Sequence, residues 1–205
     1  MARPSIDSAL GEVLVAPPAV IPPLTQVRGT LISASLKTLV ERGYQERYYA
    51  KLAPEHHDAI RGIIAGTWVP EPIAWAHYLA CEALDLPAHE AFAIGADVGK
   101  HVRSTLLGTI ISVAREAGTT PWVYLERLPR LFTRVCIGGA VAIYKLGPKE
   151  ARAEWYALPG LTLPYFRGAF RGAQQSILEL FCTKAYVSET RAVGGGNWAF
   201  RASWV

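Results

Sequence analysis

The chain has 205 residues, 51% of them hydrophobic, and 21 lysines and arginines against 17 aspartates and glutamates for a net charge of +4. That balance excludes a disordered chain and carries no recognition signature for nucleic acid, and the length suffices to bury a core without disulfides or a structural metal. No apolar run reaches the roughly 18 residues of a membrane span, and the N-terminus lacks the basic segment and apolar stretch of a signal peptide.

Residues 1–27 contain Pro4, Pro17, Pro18, Pro22 and Pro23. A proline lacks an N–H and forces its predecessor into an extended conformation, so this segment is expected to be an extended arm. Val13, Leu14, Val15, Val20 and Ile21 make it apolar enough to lie across the body. Residues 28–205 are expected to form a single domain.

Leu31, Ala34, Leu36, Leu39 and Val40 fall at helical spacing, and Gly43 stands where a C-terminal cap would. A second helical stretch runs through Tyr48, Tyr49 and Leu52. Pro54 opens another, with Glu55 and Asp58 placed to suit the helix dipole. A helix opening at Pro70 to Pro72 is expected to bury Ile73, Ala76, Ala80, Ala83 and Leu84, with Pro87 marking the break. The longest periodic segment runs from Ala88 to Glu116, with Ala91, Gly95, Val98, Val102, Leu106, Ile110 and Val113 on one face. Inside a helix Gly95, Gly99 and Gly108 each cost roughly 1 kcal/mol relative to alanine. Their presence points to a second backbone or a ligand approaching closely. A further helix spans residues 121–133, with a bend or early end expected at Pro129.

The period then changes from 3.6 to 2. Residues 137–146 read as a buried strand, Gly147 and Pro148 as a turn, and the alternation of 151–158 as the second strand of a hairpin. A helix from Pro164 to about Cys182 carries Phe166, Phe170, Ala173, Ile177 and Phe181 on its buried stripe. Strands 184–189 and 197–204, joined across Gly194–Gly196, close the chain, with Trp198, Phe200, Ala202 and Trp204 on one side. The fold class is therefore α+β: a helical N-terminal section followed by a ββαββ antiparallel-sheet section.

No residue pattern announces a reaction. There is no GxSxG, P-loop or dinucleotide-binding glycine motif, and no catalytic residue is assigned. His56 and His57 are neighbours that point about 100° apart on a helix, and His77 has only Cys81 at i+4, so no metal site is predicted. His101, in a Gly-Lys-His-Val-Arg run, is a candidate haem ligand. Cys81, Cys136 and Cys182 are odd in number and dispersed, which suits reduced thiols in a cytoplasmic compartment. Arg167 and Arg171 lie four apart near a helix start, a spacing that could hold a carboxylate or phosphate.

In Glu90–Gly95 (EAFAIG), Thr105–Gly108 (TLLG), the Gly147–Pro148 turn and the order of its elements, the chain resembles a family of myxobacterial proteins. More broadly, over residues 28–190, it resembles the fold shared by haem nitric-oxide-binding domains, 4-vinyl-reductase-type small-molecule-binding domains and the TRAPP trafficking adaptors. The resemblance implies a cavity between the long helix and the sheet, used in those relatives for haem, small apolar molecules or an acyl chain. Gly95 and Gly99 are compatible with such a cavity. The Tyr-x-Ser-x-Arg signature of the haem-binding branch is absent. These features together lead us to expect a non-enzymatic ligand-binding or sensory domain, acting as a homodimer, with Gly95, Gly99, His101, Arg167 and Arg171 as ligand-binding candidates. The alternatives are a protein-interaction adaptor using the Trp-rich strand or the arm, and an enzyme with dispersed catalytic residues.

Overall fold

The computed structural model describes residues 11–103 and 120–205. Leu106, Gly108, Ile110, Val113 and Gly118, which the sequence places on or after the long helix, lie outside the described residues. Seven α-helices are described: α1 (Gly29–Glu41), α2 (Gln45–Lys51), α3 (His57–Arg61), α4 (Glu71–Glu82), α5 (Ala88–Arg103), α6 (Pro121–Val135) and α7 (Pro164–Leu178). Two strands precede or accompany the first helices, β1 (Glu12–Val15) and β2 (Gln26–Arg28), followed by β3 (Trp68–Pro70). The C-terminal half adds β4 (Cys136–Ile137), β5 (Ala140–Gly147), β6 (Glu150–Tyr156), β7 (Ala185–Thr190) and β8 (Trp198–Trp204).

The expected ββαββ section is present as β5–β6–α7–β7–β8, and the fold is α+β with antiparallel sheets. The main sheet has the order β1-β5-β6-β8-β7, and Gly147 faces Glu150 across the predicted turn. Two features went unread in the sequence. Residues 12–15, within the proline-rich segment, pair with β5 and add a fifth strand. Residues 68–70 form the edge of a small sheet of order β3-β2-β4, directly before the helix that opens, as expected, at Pro70 to Pro72. Helix α1 stops as expected, with the Gly43 amide donating to the Val40 carbonyl at 3.0 Å and the Tyr44 amide to Leu39 at 2.8 Å. Helix α6, by contrast, does not end early but continues past Pro129 to Val135. Helix α4 buries Ala74, His77, Ala80 and Cys81 and leaves Ile73 and Ala76 only partly buried, so its inward face is rotated from the expected one.

Strand β6 is buried on both faces. Ala151, Ala153 and Trp155 join the main core with Phe200, Ala202 and Trp204 of β8, where Trp204 meets Trp122 of α6 edge-on at 4.8 Å. On the other face Tyr156 packs with Ala140, Ala142, Tyr144 and Ile21, beside Arg152 and Glu154. Glu154 is fully buried. Its carboxylate accepts the amide N–H groups of Val193 (2.8 Å), Gly194 (2.9 Å) and Gly196 (3.1 Å), and the Arg152 guanidinium at 2.8 Å. The chain can wrap the carboxylate because Gly195, at φ +94, occupies a conformation that side chains disfavour. Burial opposes ionisation of Glu154, but the three amides and Arg152 outweigh it and hold its pKa below the ordinary carboxyl value.

Among the described residues, helices α5 and α7 pack against each other most extensively. A Cβ on Gly95 would collide with the backbone carbonyl of Ala169, and one on Gly172 with that of Phe92. The glycines therefore let the two backbones touch, as their cost inside helices required.

Two outcomes follow from these contacts. Gly95→Ala and Gly172→Ala each overpack a backbone contact and should destabilise the fold by about 1–3 kcal/mol, read from denaturant midpoints. Glu154→Gln strips Arg152 of its buried carboxylate and should cost on the order of 3 kcal/mol at neutral pH. Because the folded pKa of Glu154 lies below its unfolded value, this contribution is complete above the ordinary carboxyl range. It disappears as the pH falls through that range to the folded pKa. The wild-type advantage over Glu154→Gln should therefore shrink on acidification in parallel denaturation series.

Candidate functional site

Between the helices lies a cavity of about 170 Å³. Its walls are apolar. Helix α1 contributes Leu31 and Ser35, α4 contributes Ala74, Trp75 and Tyr78, and α5 contributes Ile94, Gly95, Val98 and Gly99. Helix α6 adds Tyr124, Leu128 and Phe132, and α7 adds Tyr165, Phe166, Phe170 and Ala173. From the main sheet comes Trp155, so the cavity is enclosed chiefly by helices and less by the sheet than expected. The stripes predicted on α5 and α7 are thus the cavity walls: Gly95, Val98, Phe166, Phe170, Ala173 and Ile177 all line it. Aromatic edge contacts brace the space, with Tyr78 against Phe166 at 4.5 Å and Trp155 against Phe170 at 4.7 Å.

One side of the cavity carries a buried polar group of residues. His77 is fully buried on α4. Its Nδ1 lies 2.8 Å from the Tyr48 hydroxyl and its Nε2 3.0 Å from the Ser35 hydroxyl, with Cys81 Sγ at 3.7 Å from Nε2. Burial pushes the imidazole pKa down to about 3 and the Cys81 thiol up to about 12. Both groups are therefore neutral at physiological pH, the reverse of what activates a cysteine nucleophile. The Tyr165 hydroxyl faces Cys81 and Ser35, and neither it nor the Trp155 indole N–H makes a hydrogen bond of ordinary geometry.

The five ligand-binding candidates divide. Gly95 and Gly99 line the cavity. His101 does not: its Nε2 lies 3.1 Å from the Glu41 carboxylate of α1. Arg167 lies over the Trp198 ring at 4.5 Å and reaches Glu189 of β7 at 3.4 Å. Arg171 reaches the same carboxylate at 3.5 Å. The arginine pair does hold a carboxylate, but it belongs to the chain itself. Ser35, Tyr165 and Trp155 were missed by sequence reasoning, since nothing local marks a serine, a tyrosine or a tryptophan as facing a cavity. The spacing of His77 and Cys81 was the one visible sign of the polar group. Among the described residues no cluster of three or more His, Cys, Asp and Glu side chains could hold a metal ion, and no helix is long and apolar enough to cross a membrane.

The chain matches no model of a protein family and no curated protein. Its fold, however, is that of solved H-NOX domains. It is similar to an Fe(II) unliganded H-NOX protein mutant from K. algicida, with a TM-score of 0.62 and 7% identity over 87% of this chain and 96% of that one. An oxygen-binding H-NOX domain related to soluble guanylate cyclases gives a TM-score of 0.58 at 13% identity, over 86% and 94% of the two chains. An H-NOX protein from S. oneidensis gives 0.58 at 10% identity, over 87% and 96%. At these identities the likeness establishes the fold.

That fold raises the question of haem, and the residues here do not fit it. Haem iron is held by histidine, cysteine, methionine or tyrosine. All five histidines lie within the described residues, and none lines the cavity. Cys136 lines it, but burial pushes its thiol up to about 12. Burial likewise raises Tyr78, Tyr124 and Tyr165 above the ordinary phenol range, which disfavours a phenolate ligand. Among the described residues no lysine, arginine or histidine lines the cavity to meet the propionates, and Glu71 does line it. The run closest to Tyr-x-Ser-x-Arg places Tyr186 and Ser188 on a separate surface hollow beside Arg201. Titrating the chain with ferric haem should accordingly give no saturable Soret shift. A stoichiometric, saturable shift would overturn this reading.

Proposed function

We propose that this chain is a non-enzymatic sensory or ligand-binding domain whose cavity receives an uncharged, largely apolar small molecule. One observation carries the reading: an apolar space of about 170 Å³ is built into the core of a fold found in proteins described as binding oxygen. Pockets for small molecules are concave, mostly apolar and supplied with few polar groups, and this one matches that pattern. Its size resembles the roughly 150 Å³ of an engineered apolar cavity that takes up benzene. Gly95 and Gly99 shape the wall in this reading, while His101, Arg167 and Arg171 act in the scaffold. In this reading residues 28–205 form one domain and 1–27 an arm whose Glu12–Val15 and Gln26–Val27 pair with the domain's strands. The kinship with the myxobacterial family rests on the EAFAIG run, which falls on α5. A cytoplasmic location, which the three free thiols suit, and a homodimer, testable by light scattering, belong to the same proposal.

Groups held neutral, as His77 and Cys81 are, favour binding over catalysis. The test is a thermal shift with saturating toluene, together with organic extraction and mass spectrometry of the purified protein. Toluene should raise the melting temperature by a few degrees through preferential binding to the folded state. Val98→Phe, which fills the cavity, should abolish the rise. No rise with the wild-type chain would sink the proposal.

A further inference from the structure

The polar group beside the cavity leaves hydrogen-bond donors without partners, and those donors identify the ligand's chemistry. Neutral imidazole has one N–H and one lone pair. The hydroxyl of Tyr48, itself fully buried, has His77 Nδ1 as its side-chain partner. If Nδ1 carried the proton, the Tyr48 hydrogen would have no acceptor. Tyr48 therefore donates to Nδ1, and Nε2–H donates to Ser35 Oγ at 3.0 Å. The Ser35 hydrogen is then still to be placed, as is that of Tyr165, whose hydroxyl has no partner. Even when one of these hydroxyls donates to the other, one O–H remains, with only the weak acceptor Cys81 Sγ beside it. The Trp155 indole, a donor only, adds an unpartnered N–H.

Ser35, Tyr165 and Trp155 all line the cavity, and they are 4%, 5% and 1% exposed. Leaving such donors unmade costs about 1–3 kcal/mol each. Among the described residues the wall offers no cation, and Glu71 sets a negative charge against any anion. Burying an ionised carboxylate there would be costly.

We infer that the cavity binds a neutral, compact molecule with a hydrogen-bond acceptor, a ketone, aldehyde or ester on a hydrocarbon body, whose oxygen is received by Tyr165 together with Ser35 or Trp155. This rests on the ligand-binding reading above and sharpens it to a ligand class. Tyr165 is a specificity-determining residue in this scheme.

The test compares three probes of like size and shape: acetophenone, its hydrocarbon isostere α-methylstyrene, and benzoate. Calorimetry should show acetophenone binding to the wild-type chain and benzoate not binding. Tyr165→Phe should weaken acetophenone about fivefold to tenfold, the effect of one hydrogen bond, and leave α-methylstyrene within about twofold. The carbonyl stretch of bound acetophenone should lie at lower frequency than in hexane, a readout that needs no variant. Equal losses for both probes, an unshifted carbonyl stretch, or tighter binding of benzoate would overturn the inference while leaving an apolar ligand site in place. Binding of none of the three would overturn both.

Discussion

The backbone contact between α5 and α7 is the constraint on which the rest of the interior depends. Gly95 and Gly172 bring the two helices together without side chains between them. Helices α4 and α6, in contrast, stand off from α7 behind large aromatic groups such as Tyr78, Phe166 and Phe132. A wall that approaches too closely to hold side chains, facing walls kept apart by rings, leaves a gap. The cavity is thus a result of uneven spacing between helices.

Two buried polar groupings differ in a way that separates scaffold from site. Around Glu154 the carboxylate meets three amides and a guanidinium, and the strands and the glycine loop are locked together. Around His77 the chain of hydrogen bonds ends at the cavity wall with protons to spare. A fully satisfied network rigidifies a core, whereas in the ligand scheme inferred above the leftover donors are met by the ligand. The same principle that explains why Glu154 is structural explains why Tyr165 is not.

Much of this architecture was legible in the sequence. The change of period after residue 136, the Gly147–Pro148 turn and the alternation ending in Trp204 placed the hairpins, because pairing and burial there follow local patterns. The stripes on α5 and α7 were legible too, including the glycines whose cost demanded a reason. The strand at residues 12–15 was not, since a short segment among prolines becomes a strand only when β5 supplies the partner. The inward turn of α4 was hidden because His77 and Cys81 face the core beside Ala74 and Ala80, while the larger Ile73 and Leu79 do not. Tyr165 and Trp155 looked like any buried aromatic residues, and their significance lies in partners they lack, which no spacing encodes.

Strand β1 carries a consequence for how the sheet closes. It pairs residues near one end of the chain with β5, far along it, through a short ladder interrupted by a bulge between Val13 and Val15. Such a contact closes a very long loop for few hydrogen bonds, so it forms late in folding and is the first part of the sheet to open. When it opens, β5 presents an unpaired edge beside an intact β6. That edge is a template for any extended segment of suitable pattern, including β1 of another copy, so the order of the sheet's own margin governs whether the protein exchanges strands with its neighbours.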